Sequence, residues 1–334
     1  MELIDYTNAY EQRPKKIFYT ENGRLSGYLT AAIKNICFKK KHYWKKAFAH
    51  PEKLYPISQT RYKSHQELES AAYDVLIVGS DQVWNPHITN GMDMAFWLQF
   101  GRADKRISMA SSMGSHTMTQ GERELVSNAL TSFTSISTRE PFCKEQLASL
   151  TDKPIKILLD PTFLYKRERW ATQLASKSPY SQKTGKYILT FFVAPDSSYK
   201  QRVQEYADMT GLPVWSIQST IIKRTNCQKS ILGATVADFV ALIQNADLVI
   251  TDSFHGVAMS LIMGVNFVAF KNTGNPVRVA NLLDTLGIGN RVDMPASAYE
   301  SVPYEQVREK LVPLCEDSRE WVRRAIDEGA PESD

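Results

Sequence analysis

The sequence predicts an α/β fold of two parallel-sheet domains facing each other across a cleft, and three observations lead there. Short runs rich in Val, Ile and Leu recur along the chain, each too brief for a helix and long enough for a buried strand. The runs end in small and polar residues, as strands do at the ligand-binding edge of a doubly wound sheet. Helical segments alternate with the runs, which implies parallel strands joined by crossovers. At 334 residues the chain is long for one core and fits two such domains.

Taken in order, residues 2–6 (ELIDY) read as a short strand, 25–46 as a basic helical segment and 51–64 as a loop containing Pro and Tyr. A helix is expected over 66–72. Residues 74–79 (DVLIVG) form a buried strand whose polar exit runs from Ser80 and Asp81 to Asn85 and Pro86. Strands follow over 106–111 (RISMAS), 133–137 and 156–159, separated by helices over 122–130 and 142–150. Their exits carry Ser111 and His116, then Arg139 and Glu140, then Asp160. The chain turns polar and irregular from 166 to 186, which divides it into domains 1–165 and 166–334.

The second domain restarts the pattern. Strands are expected over 187–193 and 213–217, around a helix over 199–210 that Gly211 closes. A helix over 236–245 leads into one βαβ unit, the centre of this reading. It runs from a strand at 248–250 through Thr251, Asp252 and Ser253 to an apolar helix at 256–263, the stop at Gly264 and a strand at 265–270. Helices over 281–286 and 304–326 follow, and 329–334 reads as a disordered tail.

Apolar residues make up 43% and charged residues 23%, as in soluble globular proteins. No run of about 18 apolar residues exists to span a bilayer, and no signal-peptide core is visible. Cys37, Cys143, Cys227 and Cys315 lie far apart without CxxC or metal-ligand spacing, so a reduced, cytoplasmic protein without a metal is expected. The dense basic cluster at 39–46 reads first as a solvated helix face. With Tyr43 and Trp44 interleaved, it also suits a membrane surface, a phosphate-bearing substrate or nucleic acid. A net charge of only +4 sets no expectation of a nucleic-acid partner.

No GxGxxG, GxxxxGK[ST], HExxH or GxSxG pattern occurs, so dinucleotide, P-loop, zinc-protease and nucleophile-elbow chemistries are weakly supported. The candidates are the polar strand ends: Asp81 and Asn85, Ser111 and His116, Arg139 and Glu140, Asp160, and the run Ser253, Phe254, His255 and Gly256. Lys271 and Arg278 add cations beyond the last strand. His255 falls in the first turn of a helix, where backbone N–H groups and the helix dipole favour an anion. Each candidate also has a plainer reading as a cap or surface residue, and Arg139 beside Glu140 fits a structural ion pair equally well.

Together the segments VGSDQVWNP, SMASSMGS, SISTREPF, LLDPTFL and ADLVITDSFHGVAMSLIMGVNFVAF resemble, in order and spacing, the polysaccharide pyruvyl transferase family, over roughly residues 74–291. The resemblance implies transfer of pyruvate from phosphoenolpyruvate onto two hydroxyls of a sugar, forming a pyruvate ketal, without metal or cofactor. It also implies two Rossmann-like domains resembling the GT-B glycosyltransferases, with 1–165 on the acceptor side and 166–334 on the donor side. Family members usually carry a strand and a segment resembling GNxGAxLQAYAL before a strand like ELIDY, whereas here Met1 stands directly before it. A shortened N-terminal βα unit is therefore expected, with an edge that a partner copy could cover. Some members carry Arg two positions before the helix-start histidine, where this chain has Ser253.

The chemistry asks for matching groups. Phosphoenolpyruvate carries a carboxylate and a phosphate, which call for guanidinium forks and a helix N-terminus. Ketal formation needs a proton at the methylene carbon and a base for the sugar hydroxyl. On this reading Arg139 grips the donor, with Arg278 and Lys271 as further cations. His255, with the Phe254 and His255 N–H groups, holds phosphate or delivers the proton, and Asp81 or His116 serves as base. The acceptor would be a sugar of a surface polysaccharide or its lipid-linked precursor, with the basic 39–46 segment suiting a lipid diphosphate at the inner membrane face. The rival readings are a nucleotide-sugar glycosyltransferase and an inactive sugar- or phosphate-binding relative.

Overall fold

The computed structural model describes residues 1–7, 55–218, 225–271 and 277–327. The expected 25–46 helical segment with its basic cluster at 39–46, and the 329–334 tail, lie outside them. Contacts divide the chain into two units. The first holds described residues 1–7, 55–164 and 308–327, and the second holds 165–307. The C-terminal residues thus group with the first unit, although sequence order alone assigns them to the second.

In the first unit, β1 (Leu3–Tyr6) pairs in parallel with β2 (Ile57–Tyr62). Residues 51–64 read as loop from their Pro and Tyr content, and this strand corrects that reading. Its middle residues are exposed, while Tyr62 is buried, so the sequence shows little apolar alternation. Next come β3 (Ala72–Val78), β4 (Arg102–Ser108), β5 (Ile136–Thr138) and β6 (Ile155–Ile157). β3 pairs with β4 and β5 with β6, all in parallel. Between β4 and β5 only isolated parallel bridges occur, at Ile107–Ser135 and Ser111–Thr138.

Serine side chains close that seam. Ser137 N–H donates to Ser108 Oγ at 2.8 Å, Ser108 Oγ donates to the Ser137 carbonyl at 3.0 Å, and Ser137 Oγ accepts from Ala110 N–H at 3.0 Å. Both hydroxyls are fully buried, so they meet a backbone demand that the ladder leaves open. Two helices connect the strands: α1 (Gln120–Leu130), opened by a Thr119–Glu122 capping box, and α2 (Pro141–Ala148), with proline in its first turn. The core is anchored by Trp84 stacked on Trp97 at 4.3 Å, with Phe133 edge-on to Trp84. Trp84 Nε1–H donates to the Phe96 carbonyl at 2.8 Å, which satisfies the one polar atom of that ring.

The described residues of the second unit form a five-stranded sheet. Its strands are β7 (Ile188–Phe191), β8 (Val214–Gln218), β9 (Lys229–Leu232), β10 (Leu248–Thr251) and β11 (Phe267–Ala269). All pairs are parallel, in the order β11-β10-β7-β8-β9. The order reverses between β7 and β10, the switch point at which doubly wound sheets bind ligands. Among the described residues, the longer helices here are α3 (Tyr199–Thr210), α4 (Val236–Asn245), α5 (Phe254–Met263) and α6 (Val277–Thr285). Gly211 and Gly264 end α3 and α5 in the left-handed conformation, as their positions in the sequence suggest.

β10 is buried at all four positions and α5 is buried nearly all round, so this βαβ unit is the centre of the second core. β9 is absent from the sequence reading because a short, polar edge strand carries no apolar run. The long helix α7 (Tyr304–Asp327) carries Pro313 inside it. Its later residues bind the first unit, with Ser318 Oγ accepting from Leu159 N–H at 3.2 Å and Arg319 Nε donating to the Leu164 carbonyl at 3.1 Å. Those partners lie far apart in sequence, which is why periodicity alone could not place the helix. Cys143, Cys227 and Cys315 are free thiols. Among the described residues no helix is long and apolar enough to cross a membrane.

Candidate active site

Four parallel strands of the first unit deliver their polar exits to one charged cluster. Arg139, just past β5, is its centre, with a side chain only 4% exposed. Its Nη1 donates to Asp160 Oδ2 at 2.8 Å, beyond β6, and its Nη2 reaches Asp81 Oδ1 at 3.4 Å, beyond β3. Nε lies 3.5 Å from Glu140 Oε2. Ser80 Oγ donates to Asp160 Oδ2 at 3.0 Å, and Ser112 Oγ, beyond β4, donates to Glu140. Burial opposes the charge on Arg139, yet Asp160, Glu140 and Asp81 outweigh it, so its pKa stands above the ordinary arginine value.

The cluster therefore sets one guanidinium against three carboxylates, two of them buried. Among the described residues, Arg139 is thus engaged by Asp81, Glu140 and Asp160. The structural ion pair that the sequence allowed is present. Asp81 is the member that reaches water, with a side chain 62% exposed. Gly79 makes the approach of the loops possible. Its φ is +141°, and a Cβ there would overlap the Met109 carbonyl.

The other candidates of this unit divide. Ser111 is fully buried and donates to the Val78 carbonyl at 3.1 Å, so it joins β4 to β3 instead of facing a substrate. Asn85 is buried and caps the short helix Pro86–Thr89 by accepting from His87 N–H at 3.0 Å. His116 pairs through Nε2 with Glu122 Oε2 at 3.0 Å, and its ring meets that of His87 edge-on at 5.2 Å. Burial works against the Glu122 charge, but hydrogen bonds from Thr119 and His116 win and hold its carboxyl below the usual value.

In the second unit the exit of β10 and the first turn of α5 meet at the switch point. Ser253 caps α5 by accepting from Gly256 N–H at 3.4 Å. Gly256 packs so closely on Thr251 that a Cβ would overlap its side chain, so the glycine lets the helix start against its own strand. Arg278, near the start of α6, lies with its guanidinium 5.7 Å from the centre of the Phe254 ring, and the His255 ring meets Phe254 edge-on. Lys271 follows β11 and is exposed, and its backbone is held on both sides. Its N–H donates to Asp293 Oδ1 at 3.1 Å and its carbonyl accepts from Tyr199 Oη at 2.8 Å.

The sequence reading treated Asp252 only as a cap, and the structure gives it a larger task. Its carboxylate accepts from Val193 N–H at 2.6 Å and Ala194 N–H at 2.9 Å, the residues that leave β7. It thus ties together the two strand ends that form the switch point. Burial raises its pKa, against the lowering effect of those N–H groups. Glu122 was also passed over, although a threonine three residues before a glutamate at a helix start was a legible capping signal.

A parallel α/β chain with a helix-start site at a sheet switch point is the class that this geometry defines. The chain belongs to the polysaccharide pyruvyl transferase family, whose sequence model matches residues 4–274. No curated protein matches it. Among solved structures, UDP-N-acetylglucosamine 2-epimerase from Rickettsia bellii is similar with a TM-score of 0.38 at 9% identity, over 97% of this chain and 90% of that one.

Proposed function

We propose that this protein transfers the pyruvyl group of phosphoenolpyruvate to a sugar of a surface polysaccharide or its lipid-linked precursor, forming a pyruvate ketal without a cofactor. Family membership supports the class of reaction. The observation that carries the donor assignment is the α5 start at the β7/β10 switch point, with Ser253, His255 and Arg278 gathered about Phe254. Helix dipole, guanidinium and imidazole favour an anion together, and the donor carries two anionic groups. On this reading His255 holds phosphate or protonates the methylene carbon, and Lys271 adds charge at the neighbouring strand end. The first unit would serve the acceptor, with Asp81 and His116 as its reactive groups and Arg139 holding Asp81 in place.

Thermal unfolding with phosphoenolpyruvate and with nucleoside diphosphates tests this reading. A ligand at about 100 times its dissociation constant stabilises the fold by about 2.7 kcal/mol. Stabilisation by phosphoenolpyruvate, lost in Arg278→Ala, is the expected result. Stabilisation by a nucleoside diphosphate alone would replace the reading with a nucleotide-sugar transferase, and binding without turnover on any sugar would replace it with an inactive relative.

A further inference from the structure

We propose that Glu122, His116 and His87 form a proton-accepting relay on the first unit, in which Glu122 is the positioning residue and His116 Nδ1 the base that takes the acceptor hydroxyl's proton. The inference rests on the pyruvyl-transfer reading and assigns one of its open roles. The loops that leave the adjacent strands β3 and β4 touch at several places, Ser112 N–H donating to the Asp81 carbonyl at 3.1 Å among them. Trp84 N–H donates to the Ser112 carbonyl at 3.1 Å, and the rings of His87 and His116 meet edge-on at 5.2 Å. His87 is exposed, whereas the His116 side chain is 10% exposed and that of Glu122 is 17% exposed. A half-sealed imidazole beside an exposed one, on the loops that also present Asp81, suits contact with a hydroxyl arriving from solvent.

The hydrogen bonds determine which nitrogen does the work. Glu122 Oε2 already accepts from Thr119 N–H at 2.7 Å and from Thr119 Oγ1 at 3.0 Å. Those donors keep it an acceptor, so the group it meets on His116 is Nε2–H at 3.0 Å. In the neutral imidazole Nδ1 then carries the lone pair, and among the described residues Nδ1 has no hydrogen-bond partner. A carboxylate that fixes the tautomer and leaves the opposite nitrogen bare is the arrangement by which acid–base histidines are oriented.

The step balances. The acceptor oxygen bonds to C2 of phosphoenolpyruvate as its proton passes to His116 Nδ1, and the electron pair of the double bond takes a proton at C3. Phosphate then leaves C2 with its bridging oxygen and receives the proton held by His116, while the second hydroxyl closes the ketal and gives up its own proton to restore the acid.

Carbethoxylation by diethyl pyrocarbonate, followed residue by residue by mass spectrometry, tests the relay without a known acceptor sugar. His116 in the intact protein should react despite its burial, and Glu122→Gln should slow that reaction about tenfold or more. Glutamine keeps the capping box, so exposure of His116 stays the same and a purely structural Glu122 would leave the rate unmoved. An unreactive His116, or equal rates in the two proteins, overturns the proposal. Should Glu122→Gln fail to fold, Glu122→Asp serves as the second variant, with the same two outcomes. Phosphoenolpyruvate stabilisation, measured on the same samples, separates the layers. If it is present while His116 is inert, only the relay fails, whereas if it is absent the transfer reading fails and the relay's role as its base falls with it.

Discussion

In the first unit the polar strand ends bond to one another, and in the second they organise backbone. Arg139, Asp160, Glu140 and Asp81 form a network in which each buried charge has an opposite charge at hand. At the second edge Asp252 draws two strand ends together through N–H groups, while the α5 start brings a helix dipole and Arg278 to the surface of Phe254. The first arrangement spends its cation internally and exposes a carboxylate. The second sets a helix N-terminus and a guanidinium beside the Phe254 ring. Strand ends of similar composition thus come to carry different arrangements of charge.

Breaking the first network should have the largest effect. Arg139→Met leaves Asp160 and Glu140 buried without their cation and should cost about 3–5 kcal/mol in chemical denaturation. A loss below 1 kcal/mol would mean that the cluster is not a unit. The second edge should respond in ligand binding instead. Arg278→Ala or His255→Gln should leave stability within about 0.5 kcal/mol while abolishing the stabilisation of about 2.7 kcal/mol by phosphoenolpyruvate. Equal ligand shifts in variants and parent would move the donor elsewhere.

Gly256→Ala sharpens the contrast, because its Cβ would overlap Thr251. A loss of about 1–3 kcal/mol is expected, with a weakened ligand shift as the helix start is displaced. The smallest effect concerns Asp252. Burial raises its folded pKa above the ordinary 3.8, so the folded state holds the proton more tightly than the unfolded chain. That contribution is full below the ordinary value and is lost as pH rises through the folded one. Stability relative to Asp252→Asn should therefore fall across that window, measured by urea denaturation at stepped pH, and a flat difference would contradict the shift.

Much of the strand-end architecture was legible because apolar runs and polar exits are local signals. The α4 span came out as read, and so did α3 with its Gly211 stop, since caps act within a few residues. β2 and β9 were missed because edge and partly exposed strands lack the apolar run that marks a buried one. Among site residues, His255 and Ser253 stood out by position in a helix start. Asp252 and Glu122 did not, because their partners at Val193, Ala194 and His116 are set by the approach of separate loops.

By itself the sequence determined the βαβ periodicity, the glycine stops, the polar strand exits and the motifs that mark the family. These depend on backbone dihedrals, burial period and capping, all of which act over short spans of chain. The tertiary structure decided that Arg139 is enclosed by carboxylates, that Ser111 is a strand tie, and that residues 308–327 return to the first unit. Charge pairing and burial depend on which distant segments meet, and a linear pattern leaves that choice open.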